Sequence, residues 1–188
     1  MRRTVLVFLI LLLVNNNPLW SKGKVTYALD LSDSYYAAIP HFEDEIPFRT
    51  SNATSLAVGL FGFETETFSV GLDLHTMFVT PSIPFGNYQG RGFNSVGFRV
   101  RGSYKLNGTF ALFASLSSEA NYYRTIKEAF ISYSVQLGPQ FRILKTEMHT
   151  IDITLPFTIH LRKEITAPML GVGLRYTLAP HRDQEEDL

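Results

Sequence analysis

From Val25 to Leu178 apolar and polar residues alternate with a period of two, which limits the chain to β-strands with two chemically different faces. In the first strand Val25, Tyr27, Leu29, Leu31 and Tyr35 share one face, against Thr26, Ala28, Asp30, Ser32 and Ser34. The pattern recurs around Leu56–Leu60, Phe68–Phe78, Val96–Leu106, Phe110–Tyr122, Ile131–Ile143, Ile151–Leu161 and Leu170–Leu178, giving eight strands and no helix. At 188 residues the chain has room for one such domain.

Some positions depart from the pattern. Phe61 and Phe63 break the parity of the second strand, so a bulge is expected at Gly59 or Gly62. Phe113 sits among polar residues. Pro139 and Pro156 each remove a ladder donor, which points to bulges or to a break near Gly138-Pro139. Asn107-Gly108 is a hairpin signal. Leu106 and Phe110 share a parity, however, so a three-residue loop or an adjacent bulge is expected there.

Alternation does not say which face is inside. Volume does: the apolar face carries roughly forty large side chains, and an eight-stranded barrel encloses too little space for them. The polar face is mostly Gly, Ala, Ser and Thr, which suit a cramped lumen. The apolar face carries no charge from Val96 to Leu106 or from Ile151 to Leu161. Each strand, at about 3.4 Å per residue and a tilt of roughly 40°, is long enough to cross an apolar band of about 25 Å. Tyr27, Tyr35, Phe68, Phe78, Tyr104, Phe110, Tyr122 and Tyr176 fall near strand ends, where an aromatic girdle belongs. The expected fold is all-β: an eight-stranded antiparallel transmembrane up-and-down β-barrel over residues 24–178.

The N-terminus reads as an export signal. Met1-Arg2-Arg3 is basic, and Thr4–Val14 is an apolar run too short to span a bilayer as a helix. Residues 1–23 are assigned as a signal peptide with cleavage near Gly23, and residues 179–188 as a periplasmic acidic tail. The links after strands one and three, Ala37–Ala53 and Thr80–Gly92, are long, and those at Glu64–Thr67 and Asn107-Gly108 are short. Even strand number, a cleaved signal and this asymmetry place both termini in the periplasm and the long links outside the cell.

Signal, eight alternating strands and unequal links together resemble the small outer-membrane barrels: the outer-membrane protein A transmembrane domain and the outer-membrane protein X and W families. The resemblance is architectural and covers Lys24 to Leu178. The last strand, Gly171 to Leu178, is similar to the C-terminal signal read by the barrel-insertion machinery, although ten residues follow it. That resemblance implies the insertion machinery and outer-membrane lipid as partners.

The inward polar residues define the candidate site: Asp30, Asp73, His75, Arg99, Arg101, Glu119, Arg142, Asp152, His160, Arg162 and Arg175. Lys105 points the same way. The link between strands three and four sets Asp73 level with Arg99 or Arg101. The next turns bring Asp152 near Gln140 and Arg142, and Arg175 near Asp152 and Asp30. Buried charges must pair, so these residues are expected to form a lumen network.

No catalytic constellation is legible. The outer-membrane lipid A deacylases carry a His-x-Ser pair, whereas here His75, His149 and His160 are followed by Thr76-Met77, Thr150-Ile151 and Leu161-Arg162. His41 beside Glu43, Asp44 and Glu45 reads as a solvated loop. No phosphate loop or zinc motif is present, and no cofactor is expected. With 17 basic and 17 acidic residues the chain has no basic surplus for nucleic acid. The expected function is an integral outer-membrane barrel, structural or a narrow porin-like passage for small solutes, and not an enzyme. The alternatives are a surface-exposed binding protein acting on an extracellular ligand through loops 37–53 and 80–92, or an outer-membrane lipid-modifying enzyme.

Overall fold

The computed structural model describes residues 23–40, 49–80, 92–123, 129–163 and 165–180. Within them the alternating segments form β1 (Lys24–Pro40), β2 (Arg49–Glu64), β3 (Phe68–Val79), β4 (Phe93–Lys105), β5 (Phe110–Tyr123), β6 (Ala129–Lys145), β7 (His149–Thr154), β8 (Phe157–Leu161) and β9 (Ile165–Leu178). The segments β7 and β8 are the two halves of one stave, so nine segments make eight staves. Each stave pairs antiparallel with its sequence neighbour, and β1 pairs with β9 to close the wall. Closure leaves no unpaired edge, which lipid would not tolerate. Residues 1–22 of the expected signal peptide and residues 181–188 of the expected tail lie outside the described residues.

The apolar face is outside. Leu116 is 62% exposed and its chain neighbour Ser117 9%, and this inversion of soluble-protein burial repeats along every strand. Tyr27, Tyr35, Phe78, Tyr104 and Tyr122 are exposed on the rims of the apolar band, with Phe68, Phe110 and Tyr176 half-buried there. Phe110 packs against Phe141, and Tyr176 Oη lies 2.7 Å from His149 Nδ1. A closed barrel clothed this way is built to stand in a membrane.

The irregularities resolve locally. In β2 the register slips between Gly59 and Phe61, so Leu60 and Phe61 both face outward and parity reverses beyond them. Asn107 to Thr109 form a three-residue loop closed by Leu106 N–H to Phe110 O at 2.9 Å, with Asn107 Oδ1 accepting from the Thr109 and Phe110 amides. The break expected near Gly138-Pro139 falls instead across the seam, at Leu155-Pro156. Pro139 stays in its ladder opposite Leu112, and its carbonyl accepts the Leu155 amide at 3.1 Å. Gly138 is required there because a Cβ would meet the Leu155 carbonyl.

The first long link is shorter than expected. Strands β1 and β2 continue to Pro40 and from Arg49, with Ala37 opposite Thr50 and Ala38 opposite Arg49. What remains, residues 41–48, lies outside the described residues, as do residues 81–91 of the second link. The strand ends that flank these links lie at one end of the barrel with Tyr123, Ala129, Leu161 and Ile165, here the loop end. The turns at residues 65–67, 106–109 and 146–148 share the other end with Gly23 and Ala179, here the turn end.

The face assignment predicts the effect of charge on the outside. Val100 is 52% exposed in mid-strand, so Val100→Arg should lower unfolding stability in lipid vesicles by about 2–4 kcal/mol. Unchanged urea midpoints in vesicles would mean that this surface does not meet lipid.

Candidate functional site: the barrel lumen

The wall sets charged side chains level with one another in cross-strand rows. One row runs Arg142, Asp152, Arg175, Asp30 across β6, β7, β9 and β1, alternating in sign. A second sets Asp73 of β3 opposite Arg99 of β4. A third sets His75, Gly97 and Glu119 side by side across β3, β4 and β5. Gly97 has a specific task there: a Cβ would strike the Ser118 carbonyl. With no side chain at 97, His75 Nδ1 reaches Glu119 Oε1 at 3.1 Å.

These rows join across the lumen. Arg99 donates to Asp73 Oδ2 from Nε at 2.9 Å and from Nη2 at 2.6 Å, and from Nη2 to Asp30 Oδ2 at 2.5 Å. Arg175 Nη1 donates to the same Asp30 oxygen at 2.8 Å, and Arg101 Nη1 stands 3.3 Å from it. The other arm of Arg101 donates to Gln140 Oε1 at 2.8 Å. Gln140 Nε2 donates to Asp152 Oδ2 at 2.7 Å, and Arg142 Nε lies 3.4 Å from Asp152 Oδ1. Asp30, Asp73, Arg99, Arg101 and Asp152 are all buried. The result is a polar plug that crosses from one wall to the other. Phe113, out of pattern in the sequence, lies beneath it: the Arg101 guanidinium stacks 3.8 Å from its ring centroid.

Toward the turn end a vestibule of about 570 Å³ opens, lined by Lys24, Glu64, Lys105, Arg142 and the turn residues. Lys105 Nζ holds Glu64 Oε1 and the Thr65 carbonyl, each at 2.5 Å. Against the plug lies a separate, smaller cavity of about 20 Å³ whose lining includes Gln140, Arg142, Asp152 and Arg175, room for roughly one water molecule.

Toward the loop end Glu119 Oε1 accepts from Ser117 Oγ at 2.6 Å, and Ser134 Oγ lies 3.0 Å from His160 Nδ1. Beyond this level the lumen becomes apolar. Tyr36, Met77, Val79, Phe93, Ile165 and Met169 pack into a buried cluster inside the barrel. His160 stacks on Phe93 at a centroid distance of 6.0 Å, and Phe93 meets Phe130 edge-on at 5.4 Å. The Arg162 guanidinium covers the Phe130 ring at 4.0 Å.

The eleven residues expected in the lumen are thus divided. Asp30, Asp73, Arg99, Arg101, Arg142, Asp152 and Arg175 form the plug. His75, Glu119 and His160 form a second level, and Arg162 belongs to the aromatic cap. The cap itself was not anticipated. Its signal is parity: Tyr36 continues the series Asp30, Ser32, Ser34, and Met77 and Val79 continue Asp73, His75. Among the described residues no group of three or more His, Asp or Glu gathers as a metal set.

No protein-family model matches the chain, and no curated protein sequence matches it. Solved structures match its fold. Neisserial surface protein A (NspA) superposes with a TM-score of 0.57 at 10% identity, over 79% of this chain and 95% of its own. Ail, the attachment invasion locus protein of Yersinia pestis, gives 0.47 at 10% identity, over 82% of this chain and 99% of its own. OprG of Pseudomonas aeruginosa gives 0.42 at 8% identity, over 85% and 98%. The chain has the architecture of a small eight-stranded outer-membrane barrel, as its resemblance implied.

The plug has a measurable energy. Asp30→Asn keeps the shape but leaves Arg99, Arg101 and Arg175 around a neutral amide, so unfolding from vesicles should lose about 3–5 kcal/mol. Asp33→Asn, on the exposed outer face of the same strand, should change stability by about 0.5 kcal/mol or less. Equal small effects would show that the plug is not under tension between charges.

Proposed function

We propose that this chain is an outer-membrane barrel with a closed lumen, whose role is structural and whose contacts with other molecules are made at the loop end. One observation carries the reading: the hydrogen-bonded sequence from Asp73 through Arg99, Asp30, Arg101 and Gln140 to Asp152 crosses the lumen from β3 to β7. A passage for solutes would have to break this sequence and then part the aromatic cap. Breaking a buried ion pair by losing one partner costs about 3–5 kcal/mol, so thermal opening is rare.

The outer-membrane setting follows from the apolar exterior and from the fold shared with NspA. In this reading the turn end and both termini face the periplasm, and the strand Gly171 to Leu178 serves the insertion machinery. The protein is not an enzyme in this reading: among the described residues the charged side chains of the plug are engaged with one another.

A surface-binding role is the second reading, and a specific feature favours it. Toward the loop end polar residues join Tyr35 and Phe78 on the outer face: Asp33, Asn52, Thr54 and Thr80 are exposed, and Thr54 Oγ1 donates to Asp33 Oδ1 at 2.9 Å. Ser51 Oγ bonds the Thr80 carbonyl across β2 and the end of β3. These groups form a polar patch on the outer wall across β1, β2 and the end of β3.

Two experiments follow. Purified barrel in planar bilayers should be electrically silent; steady single-channel steps would support the narrow passage instead. Protease sites placed at Glu43 and Gly90 should be cut on intact cells, and one after Leu188 only once the outer membrane is opened. Cleavage after Leu188 on intact cells would invert the topology.

A further inference from the structure

Between the ionic plug and the aromatic cap lies a level whose hydrogen-bonding groups outnumber the partners supplied by the described residues. Ser95 Oγ, Glu119 Oε2, Asn121 Oδ1 and His160 Nε2 are buried there without a protein partner among those residues. Their residues are at most 2% exposed. They belong together. Ser95 and Asn121 are directly opposite across β4 and β5, and Glu119 is on the same face of β5, two residues away. Ser134 Oγ lies 3.4 Å from Glu119 Oε1 and 3.0 Å from His160 Nδ1, bridging the carboxylate to the imidazole.

Proton accounting says what this level needs. Asn121 Nδ2 is spent on Ser132 Oγ at 2.7 Å and on the Glu119 and Phe130 carbonyls, which fixes the amide with Oδ1 as a bare acceptor. Glu119 Oε2 is an acceptor by chemistry. If the Ser134 proton goes to Glu119, His160 carries its proton on Nδ1 and donates it to Ser134, so Nε2 is a third acceptor. Only the Ser95 hydroxyl brings a proton of its own. Acceptors in excess, buried at several kcal/mol each, call for a small donor.

We propose that this level is a binding site for internal water, about one or two molecules, held by Glu119, Asn121, Ser95 and His160 and sealed by the plug on one side and the cap on the other. Water fits the demand better than a metal ion. It donates two protons and accepts from the Ser95 hydroxyl, and no metal-like group of three His, Asp or Glu forms here among the described residues. The apolar cap explains retention: Phe93 and Tyr36 lie against His160, so the exit toward the loop end is lined by rings. The proposal rests on the closed-lumen reading for its seal, and a dry level would leave that reading intact.

The test is water-edited solid-state NMR on full-length barrel in lipid vesicles, with histidine ring nitrogens labelled. His149, exposed on the outer face at the turn end, is the internal control. Magnetisation from water should reach the His160 ring, and the water that carries it should exchange with bulk far more slowly than that at His149. No transfer to His160 while His149 shows it would overturn the proposal. Transfer as fast as at His149 would also overturn it, because the level would then be open to solvent. A ring shift that appears with added Zn²⁺ and reverses with EDTA would assign the site to a metal and overturn it. Bilayer conductance on the same preparation separates the two readings: silence with a dry His160 removes only the water site, whereas channel steps remove the closed lumen.

Discussion

One carboxylate organises the lumen. Asp30 lies within 3.3 Å of three guanidinium groups, those of Arg99, Arg101 and Arg175, on two other strands of the wall. Its surroundings make this arrangement necessary. The wall behind it is backed by an apolar outer surface, and an ion removed from water into such a site without partners costs several kcal/mol. Each arginine needs the carboxylate for the same reason. Arg99 is balanced on its other side by Asp73, Arg101 is extended by Gln140 to Asp152, and Arg175 stands between Asp30 and Asp152 in its row.

This arrangement depends on what lies around it. Most of the lumen positions between the charges are Gly, Ala, Ser or Thr, and their smallness leaves room for long side chains to meet over the barrel axis. Gly97 is the clearest case, letting His75 and Glu119 touch across an intervening strand. Two seals of different chemistry result. The plug uses charge and is intolerant of losing a partner. The cap uses packed rings at the loop end. The interior needs filling at this end too, and Tyr36, Phe93 and Met169 supply it.

Much of this was legible before any coordinates. Period two fixed the strands, interior volume fixed which face is inside, and hairpin geometry set Asp73 level with Arg99 or Arg101 and Arg175 near Asp152 and Asp30; the register selects Arg99. Three things were not legible, each for a physical reason. The ends of β1 and β2 were hidden because Asp33, Asn52 and Thr54 interrupt the outward apolar series, and a strand so interrupted has the composition of a loop. The broken stave was misplaced by one strand because Pro139 and Pro156 lie on adjacent staves and each lacks a ladder donor, so composition alone does not choose between them. The cap was missed because its residues are apolar on the face that elsewhere is polar. Alternation scores such residues as lipid-facing or as noise, whereas parity counted from Asp30 or His75 puts them inside.

The account rests on the polar face being enclosed and the apolar face meeting lipid. The chain has no cysteine, so single-cysteine variants report on one site each. Leu116→Cys and Ser117→Cys are adjacent in β5 and point to opposite sides of the wall, at 62% and 9% exposure. In barrels assembled into vesicles, a thiol probe dissolved in the lipid should modify Cys at 116 and leave Cys at 117 unreacted. Labelling at 117 with protection at 116 would turn the barrel inside out and contradict the account.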